Sequence, residues 1–218
     1  NGRILYINTA CLNLFELEMD ALLHQPYASV KESIIQDEPT QGFEEIFFQI
    51  KSGKLQEQVF KTSYRVKVTR RSLNIEQHVK GVYDTEGNFE GSVIVLRDIT
   101  QAEQMRARLR YQANYDSVTK LFNRYKFEQK LADAWHDAQD NKVQHALLQL
   151  DMDRFKLVND NAGHAAGDQL LRDVGQLLKS VVRQSDICGR IGGDEFAVLL
   201  LGVSQQSLMA IMQKLNRA

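Results

Sequence analysis

The stretch ICGRIGGDEFAVLLL, residues 187–201, constrains the fold of this chain more than any other. Two apolar runs flank Gly192 and Gly193, and this pattern predicts a β-hairpin whose tip lies at the glycines. Asp194 and Glu195 follow directly, where a hairpin that only turns the chain needs no acid. Since a solvated hairpin also explains these four residues, the rest of the sequence must decide whether they form a site.

Composition narrows the class of protein. The 218 residues are 43% hydrophobic and 25% charged, which is enough to bury a core. The net charge of −1 leaves no basic surplus for nucleic acid or an anionic membrane. Cys11 and Cys188 lie in different halves without ligand-type neighbours, which favours a reducing cytoplasm.

No apolar run here is long enough to span a bilayer. Because the chain opens with Asn1, we expect a piece of a longer protein that can carry a membrane anchor elsewhere.

Residues 1–99 predict a small antiparallel sheet with short helices on one side. Leu73, Ile75, Val79 and Tyr83 share one strand face by their period of two. The helix-like runs are 9–17 and 42–54, and the strand-like runs are 2–8, 55–62, 72–84 and 89–98.

Residues 100–113 predict a linker helix, because they lack turn residues and consist of good helix formers. Ala102, Met105, Leu109 and Gln112 follow the spacing of a short parallel coiled coil. The seam is brief and ends on a polar residue, so a plain linker helix is the alternative.

Residues 114–218 alternate helix and strand. Asn123 is a plausible N-cap for a helical stripe of Phe127, Leu131 and Trp135. The run HALLQLD is typical of a buried strand and ends at Asp151. The order helix, strand, helix, strand, strand predicts an incomplete ferredoxin-like α/β domain with a mixed sheet, so that the whole chain is α+β.

Three carboxylates are expected at one end of this second sheet. Asp151 ends the buried strand, and Asp194 and Glu195 follow the hairpin tip, so they converge if the strands are neighbours. Oxygen ligands favour Mg²⁺, which needs few protein groups when substrate phosphates complete its shell. Gly192 and Gly193 would let a phosphate approach the backbone.

The segment 151–168, between this strand and the next helix, is rich in polar residues. Asp168 can accept hydrogen bonds from N1–H and the 2-amino group of guanine, and Asn159 can pair with the remaining edge. Such a pair discriminates strongly against a base that lacks those groups. His164 lies in the same segment, where a turn-stabilising role is an equal alternative.

Together, the motifs RIGGDEF, LDMDRFKLVNDNAGHAAGD and DSVTKLFNR resemble the GGDEF diguanylate cyclase family over residues 112–218. NGRILYIN and RDIT are similar to the entry and exit of a PAS domain. The resemblance implies a PAS sensor domain at 1–99, a signalling helix at 100–113 and the N-terminal portion of a GGDEF domain at 114–218.

The resemblance also implies a role for each motif residue. Mg²⁺ or Mn²⁺ would be held by Asp151, Met152 and Asp194, and Glu195 would serve the reacting 3′-hydroxyl or a second metal. The implied nucleotide-binding residues are Asn159 and Asp168 at guanine, the backbone around Asp153, Arg154 and Phe155 at the phosphates, and Lys156, His164, Gly192 and Gly193 nearby.

Members of the family condense two GTP into cyclic di-GMP and two pyrophosphates across a homodimer. Arg183 and Asp186 lie in RQSD, with five residues between Asp186 and Gly192, and match the position of the inhibitory site that binds cyclic di-GMP. Val118 replaces a family leucine, and the family's last strands and helix are not in this chain, so we expect this chain to be weakly active or inactive alone.

Two alternative functions remain open. One is a non-catalytic module that binds GTP or cyclic di-GMP, possibly ahead of a phosphodiesterase domain. The other makes the PAS domain the working part, with an unknown ligand. His24 and His78 are better read as surface and strand histidines than as haem ligands, and Cys11 as core.

Overall fold

The computed structural model describes residues 2–26, 34–36 and 43–216. The chain divides into two compact units, residues 1–106 and 107–218. Each unit has its own sheet and its own hydrophobic core.

The first unit is built on a four-stranded antiparallel sheet with the strand order β1-β2-β3-β4. Its elements are α1 (Thr9–Phe15), α2 (Met19–Leu22), β1 (Ile34–Gln36), α3 (Phe43–Lys51), β2 (Glu57–Val66), β3 (Ser72–Tyr83) and β4 (Phe89–Asp98). This arrangement confirms the α+β class and the antiparallel sheet expected for this half.

One face of β3 forms the centre of the first core, as its period of two predicted. Leu73, Ile75 and Val79 are fully buried, and the hydroxyl of half-buried Tyr83 donates to the carbonyl of Ile50 at 2.6 Å. The strand expected over residues 2–8 is wrong, because that segment makes only an isolated bridge between Arg3 and Pro26.

A polar group lies in the middle of this core. Gln77 is 1% exposed, and its amide nitrogen donates to the hydroxyls of Thr62 and Tyr64 at 3.1 and 2.7 Å. Its amide oxygen is buried and accepts no hydrogen bond from the described residues. A buried acceptor without a donor lowers stability. An apolar residue at position 77 would avoid this cost, so the amide of Gln77 is not explained by the stability of the core.

The linker helix α4 spans Thr100–Asn114, in agreement with the sequence. Its first turn is held by the Asp98 carboxylate, which accepts from the amide of Thr100, and by the ion pair of Glu103 with Lys61 at 2.8 Å. No residue of α4 is buried, and Met105 and Leu109 are each 56% exposed.

The second unit contains a mixed sheet with the strand order β5-β7-β8-β6. Strands β5 and β7 are parallel, whereas β8 is antiparallel to both β7 and β6. The elements are β5 (Phe122–Asn123), α5 (Arg124–Asn141), β6 (Ala146–Asp151), α6 (Phe155–Ala162), α7 (His164–Val181), β7 (Ile187–Arg190), β8 (Glu195–Leu200) and α8 (Gln205–Leu215).

Strand β8 is the centre of the second core, and Phe196–Leu200 are all buried. One face packs against α7 through Leu171 and Leu178, and the other packs against α5 through Phe127 and Ala134. The side chain of Asn123 caps α5 by accepting from the amide of Lys126, as predicted. The apolar stripe expected at Trp135 is wrong, because Trp135 is 64% exposed and Ala134 takes the buried position.

Among the helices of the described ranges, none has the length and apolar character needed to cross a bilayer.

Candidate functional site

The hairpin tip and the end of β6 bring acidic residues together. Asp151, the last residue of β6, lies directly opposite Glu195, the first residue of β8. One residue further, the amide of Met152 donates to the carbonyl of Asp194 at 3.3 Å. Because opposed residues of an antiparallel pair project from the same face, Asp151 and Glu195 share one face, and the backbone of Asp194 is beside them. Strand pairing therefore places Asp151 beside Glu195, whereas for Asp194 it is the backbone that lies beside them.

The two glycines of the tip have different surroundings. A Cβ at Gly192 would lie 2.5 Å from Oε2 of Glu195 and 3.1 Å from its Cβ. A Cβ at Gly193 would meet nothing within 4 Å. The sequence assigned both glycines the same purpose, which was to leave space for a ligand. The structure shows that Gly192 leaves space for the Glu195 carboxylate, whereas Gly193 faces open space.

Arg190 holds the tip from the side of β7. Its Nε and Nη2 atoms donate to the carbonyl oxygen of Gly193 at 3.1 and 2.6 Å. Its Nη1 atom donates to Asp116 at 3.2 Å, and both side chains are mostly buried. Arg190 is not among the predicted site residues, and its only signal in the sequence is its place two residues before the glycines.

The environment of Asp116 favours the charged carboxylate. Burial would raise the pKa of Asp116, but hydrogen bonds from the amide and hydroxyl of Thr119, with the charge and hydrogen bonds of Arg190, lower the pKa below its usual value. The Asp116–Arg190 pair is therefore ionised at neutral pH.

The loop between β6 and α6 adopts an unusual backbone. Arg154 has φ 60° and ψ 25°, a left-handed conformation, and comes directly before α6. The amide of Phe155, the first residue of α6, donates to the carbonyl of Met152 at 3.3 Å. Asp153 and Lys156 are exposed, and Phe155 packs on the core of the second unit. The loop thus lies beside the acidic residues with its charged side chains accessible to solvent.

The residues expected at guanine lie at the junction of α6 and α7. Asn159 packs so closely on Gly167 that a Cβ there would overlap its Oδ1 atom. Asp168 is the next residue and is half-buried, so the side chain of Asn159 lies next to the backbone position of Asp168. His164 is exposed at the start of α7, directly after Gly163 at φ 82°. Asn159 therefore contacts α7 one residue before Asp168, and His164 lies one helical turn before Asp168.

The Arg183 and Asp186 pair forms a turn. One carboxylate oxygen of Asp186 accepts from the amide of Arg183 at 2.9 Å, and the other accepts from the amide of Leu201 at 3.1 Å. The side chain of Arg183 is exposed. Asp186 therefore has a structural function that the sequence spacing did not reveal, and any ligand there would have to share its carboxylate.

The carboxylates at the end of β6 and at the hairpin tip are ligands that suit a hard divalent cation. Such a cation can take its remaining ligands from a bound substrate. In the part of the chain that the structure describes, no three His, Cys, Asp or Glu side chains converge on a metal position. The oxygens of Asp151 and Asp194 nevertheless fit Mg²⁺, which binds through one or two carboxylates plus substrate phosphates.

Two family models match this chain. Residues 113–218 match the family described as "Diguanylate cyclase, GGDEF domain", and residues 1–99 match the "PAS fold". The chain therefore contains a PAS-fold segment followed by a GGDEF segment. Its second half belongs to the GGDEF diguanylate cyclase family.

Curated relatives and solved structures are similar to this chain, and two relatives and one structure are described here. It is 39% identical over 147 residues to a probable diguanylate cyclase, DgcE of Escherichia coli, covering 67% of this chain and 13% of that protein. It is 31% identical over 216 residues to the cyclic di-GMP phosphodiesterase PdeB of Shewanella oneidensis, covering 99% of this chain and 24% of that protein. The chain thus spans no more than about a quarter of either relative.

The solved structure is the coiled coil and GGDEF domain of DgcB from Caulobacter crescentus in complex with c-di-GMP. It has 28% sequence identity and a TM-score of 0.51, and the match covers 53% of this chain and 61% of that one. This likeness agrees with the mixed sheet of the second unit.

Proposed function

We propose that the protein is a sensor-regulated diguanylate cyclase, which condenses two GTP into cyclic di-GMP and two pyrophosphates. The observation that carries the proposal is the register of β6 and β8, which sets Asp151 opposite Glu195 beside Asp194 and the open space at Gly193. Family membership of residues 113–218 and the similarity to DgcE support it.

In the proposed reaction, each 3′-hydroxyl oxygen bonds to the α-phosphorus of the other GTP. The bond from that phosphorus to the pyrophosphate breaks, and the hydroxyl proton leaves. Glu195 would accept this proton or serve a second metal. Asn159 and Asp168 would hold guanine, while the loop at Asp153, Arg154 and Phe155, with Lys156 nearby, would hold the phosphates. The remaining contribution is positioning of the two substrates.

Mg²⁺ or Mn²⁺, bound through Asp151, Asp194 and the Met152 segment, would neutralise charge that develops on the phosphates. We infer this role from the carboxylate oxygens at the end of the sheet, which suit such a cation.

Two copies of the chain would supply the two substrates, and α4 is the element that we expect to pair them. A 15-residue helix gains most of its stability from tertiary packing, yet no residue of α4 is buried within the chain. Met105 and Leu109, which are four residues apart, present an exposed apolar stripe. We therefore propose a homodimer in which the α4 helices form a short parallel coiled coil.

The proposed compartment is the cytoplasm, which supplies GTP. Both Cys11 and Cys188 are free thiols, and burial raises the pKa of Cys188 to about 11, so that its thiol stays protonated. The signal or ligand of the PAS domain is not assigned.

The test is product analysis after incubation of the protein with GTP and Mg²⁺. We expect cyclic di-GMP from the wild type, none from Asp194→Ala, and wild-type yield from Asp173→Asn, an exposed carboxylate on α7. Equal yields from the wild type and Asp194→Ala would contradict the assignment of the site.

A second function is favoured by the similarity to PdeB over almost the whole chain. In that case the domain binds GTP or cyclic di-GMP without turnover and regulates a neighbouring domain. Calorimetry would then detect nucleotide binding that Asp168→Ala abolishes, while product analysis would find no cyclic di-GMP.

A further inference from the structure

Two kinds of hydrogen bond fix the tip of the β7–β8 hairpin, one from the backbone and one from a side chain. On one side, the carbonyl of Glu195 accepts from the amides of Ile191 and Gly192 at 2.9 and 3.3 Å. On the other side, the guanidinium of Arg190 provides both hydrogen bonds to the carbonyl of Gly193. Two adjacent glycines have more backbone freedom than any other pair of residues, so these contacts decide the shape of the tip.

The third contact of the guanidinium leads away from the tip. Asp116, which Arg190 binds through Nη1, comes two residues after the end of α4. Its Oδ1 atom also accepts from the amide and hydroxyl of Thr119 at 2.8 and 2.7 Å. Because charged, mostly buried groups are costly to leave without partners, the positions of Asp116 and Arg190 are linked.

The C-terminal end of α4 also contacts strand β5, through residues other than Asp116 and Arg190. The ring of Tyr115 stacks between Tyr111 of α4, at 4.5 Å, and Phe122 of β5, at 4.9 Å. The side chain of Asn123 donates to the carbonyl of Ala113 at 2.9 Å. Asn123 is itself the register partner of Arg190 across β5 and β7. The last turn of α4 is thus bonded to Asn123 of β5, and Arg190 lies directly opposite Asn123 on the adjacent strand β7.

We propose that Arg190 is a positioning residue that couples the end of α4 to the shape of the Gly192–Gly193 tip through Asp116. A change in the course of α4 would then alter the site within one protomer, in addition to any effect on how two protomers meet. The importance of this coupling for catalysis rests on the proposed function. The coupling itself can be measured in the ligand-free protein, whatever the function is.

The first test is amide hydrogen exchange in the ligand-free wild type, Asp116→Asn, Arg190→Gln and the matched control Arg172→Gln, an exposed arginine on α7. The reporters are the amides of Ile191, Gly192 and Met152, which are bonded around the tip. Reference amides are those of Val198 and Leu199 in the core.

We expect the tip amides to exchange at least about fivefold faster in Asp116→Asn as well as in Arg190→Gln, although Asp116 forms no bond to the tip backbone in the described contacts. The reference amides and the control should keep their wild-type rates. If Asp116→Asn leaves the tip amides unchanged, or accelerates tip and reference amides by the same factor, the coupling does not exist.

A double-mutant cycle and a binding titration complete the test. The effects of Asp116→Asn and Arg190→Gln on tip exchange should be less than additive, because both changes break one connection; additive effects would contradict the coupling. The titration measures GTP binding with Mg²⁺ present. GTP should bind Asp116→Asn about fivefold more weakly than wild type, and equal affinity would show that the coupling does not affect the nucleotide site. A wild type that binds no GTP would instead refute the proposed function, while the exchange data would still decide the coupling.

Discussion

Asp151 and Glu195 lie directly opposite each other across the antiparallel pair of β6 and β8. Like charges in this relationship oppose each other and destabilise a sheet. The protein keeps them at the open end of its second sheet, where the backbone of Asp194 joins them. A site that costs stability when empty should gain stability when a cation binds.

The first prediction follows from this repulsion. In metal-free buffer, Asp151→Asn should raise the free energy of unfolding of the second unit by about 0.2–1 kcal/mol, because one of the opposed charges is removed. Mg²⁺ with GTP should raise the melting temperature of the wild type and have less effect on Asp151→Asn. Thermal unfolding measures both, with Asp173→Asn, which changes an exposed carboxylate on α7, as the control. A metal-free variant that is less stable than wild type would contradict the repulsion.

The second prediction separates the two glycines. Gly193→Ala places its methyl group in open space, so stability should stay within about 0.5 kcal/mol of wild type. GTP affinity should fall if the ligand occupies that space. Gly192→Ala should instead displace the Glu195 carboxylate, so turnover falls more than binding does. Calorimetric titration and initial rates distinguish the two, and identical profiles for both variants would contradict the different surroundings.

The third prediction concerns Asp186 and Arg183. Asp186→Ala removes the acceptor of two backbone amides, so we expect a loss of about 1–3 kcal/mol in the free energy of unfolding. Arg183→Ala removes an exposed side chain and should change stability by less than about 0.5 kcal/mol. If the pair also binds cyclic di-GMP, as the sequence motif implies, both variants should bind it more weakly. Denaturant unfolding and titration with cyclic di-GMP measure the two properties separately.

The fourth prediction is a pH dependence. The pKa of Asp116 is lowered by Thr119 and Arg190 against the opposing effect of burial. Its contribution to stability is therefore complete above the unfolded pKa of about 3.9 and is lost as pH falls through the lower folded value. The stability difference between wild type and Asp116→Asn should be largest near pH 7 and shrink below about pH 4. Urea unfolding across this range checks it, and a difference that grows in acid would show the opposite sign.

The fifth prediction tests the packing of Asn159 on Gly167. Gly167→Ala should displace the Asn159 side chain, because the added methyl group overlaps its Oδ1 atom. We expect weaker GTP binding from Gly167→Ala and little effect from Asp173→Asn, which changes an exposed carboxylate further along α7. Titration of both variants with GTP makes the comparison, and equal affinities would argue against Asn159 at the guanine.

Sequence predicted those features that depend on local pattern. The buried face of β3, the N-cap at Asn123 and the hairpin at Gly192 each follow from neighbouring residues, and each is confirmed. The face of α5 was only partly predicted, because the sheet selects Ala134 and leaves Trp135 in solvent. A helix with several apolar residues does not specify by itself which of them its partner will cover.

The candidate site shows the same limit. The motif residues were found from sequence, but the partners of a side chain depend on strands that are distant in the chain. Arg190 lies 74 positions from Asp116, and the two amides bound by Asp186 belong to different turns. No spacing rule reports such contacts. The roles of the site residues therefore stay predictions, although their positions are now known.

The exposure of Trp135 has a practical consequence for all of these measurements. It is the single tryptophan of the chain, and it is 64% exposed in the folded second unit. Its indole already samples a largely aqueous environment, so unfolding will shift its emission little. The same property makes it a sensitive optical reporter of any molecule that covers the outer side of α5, because contact would remove water from a ring that the fold leaves uncovered.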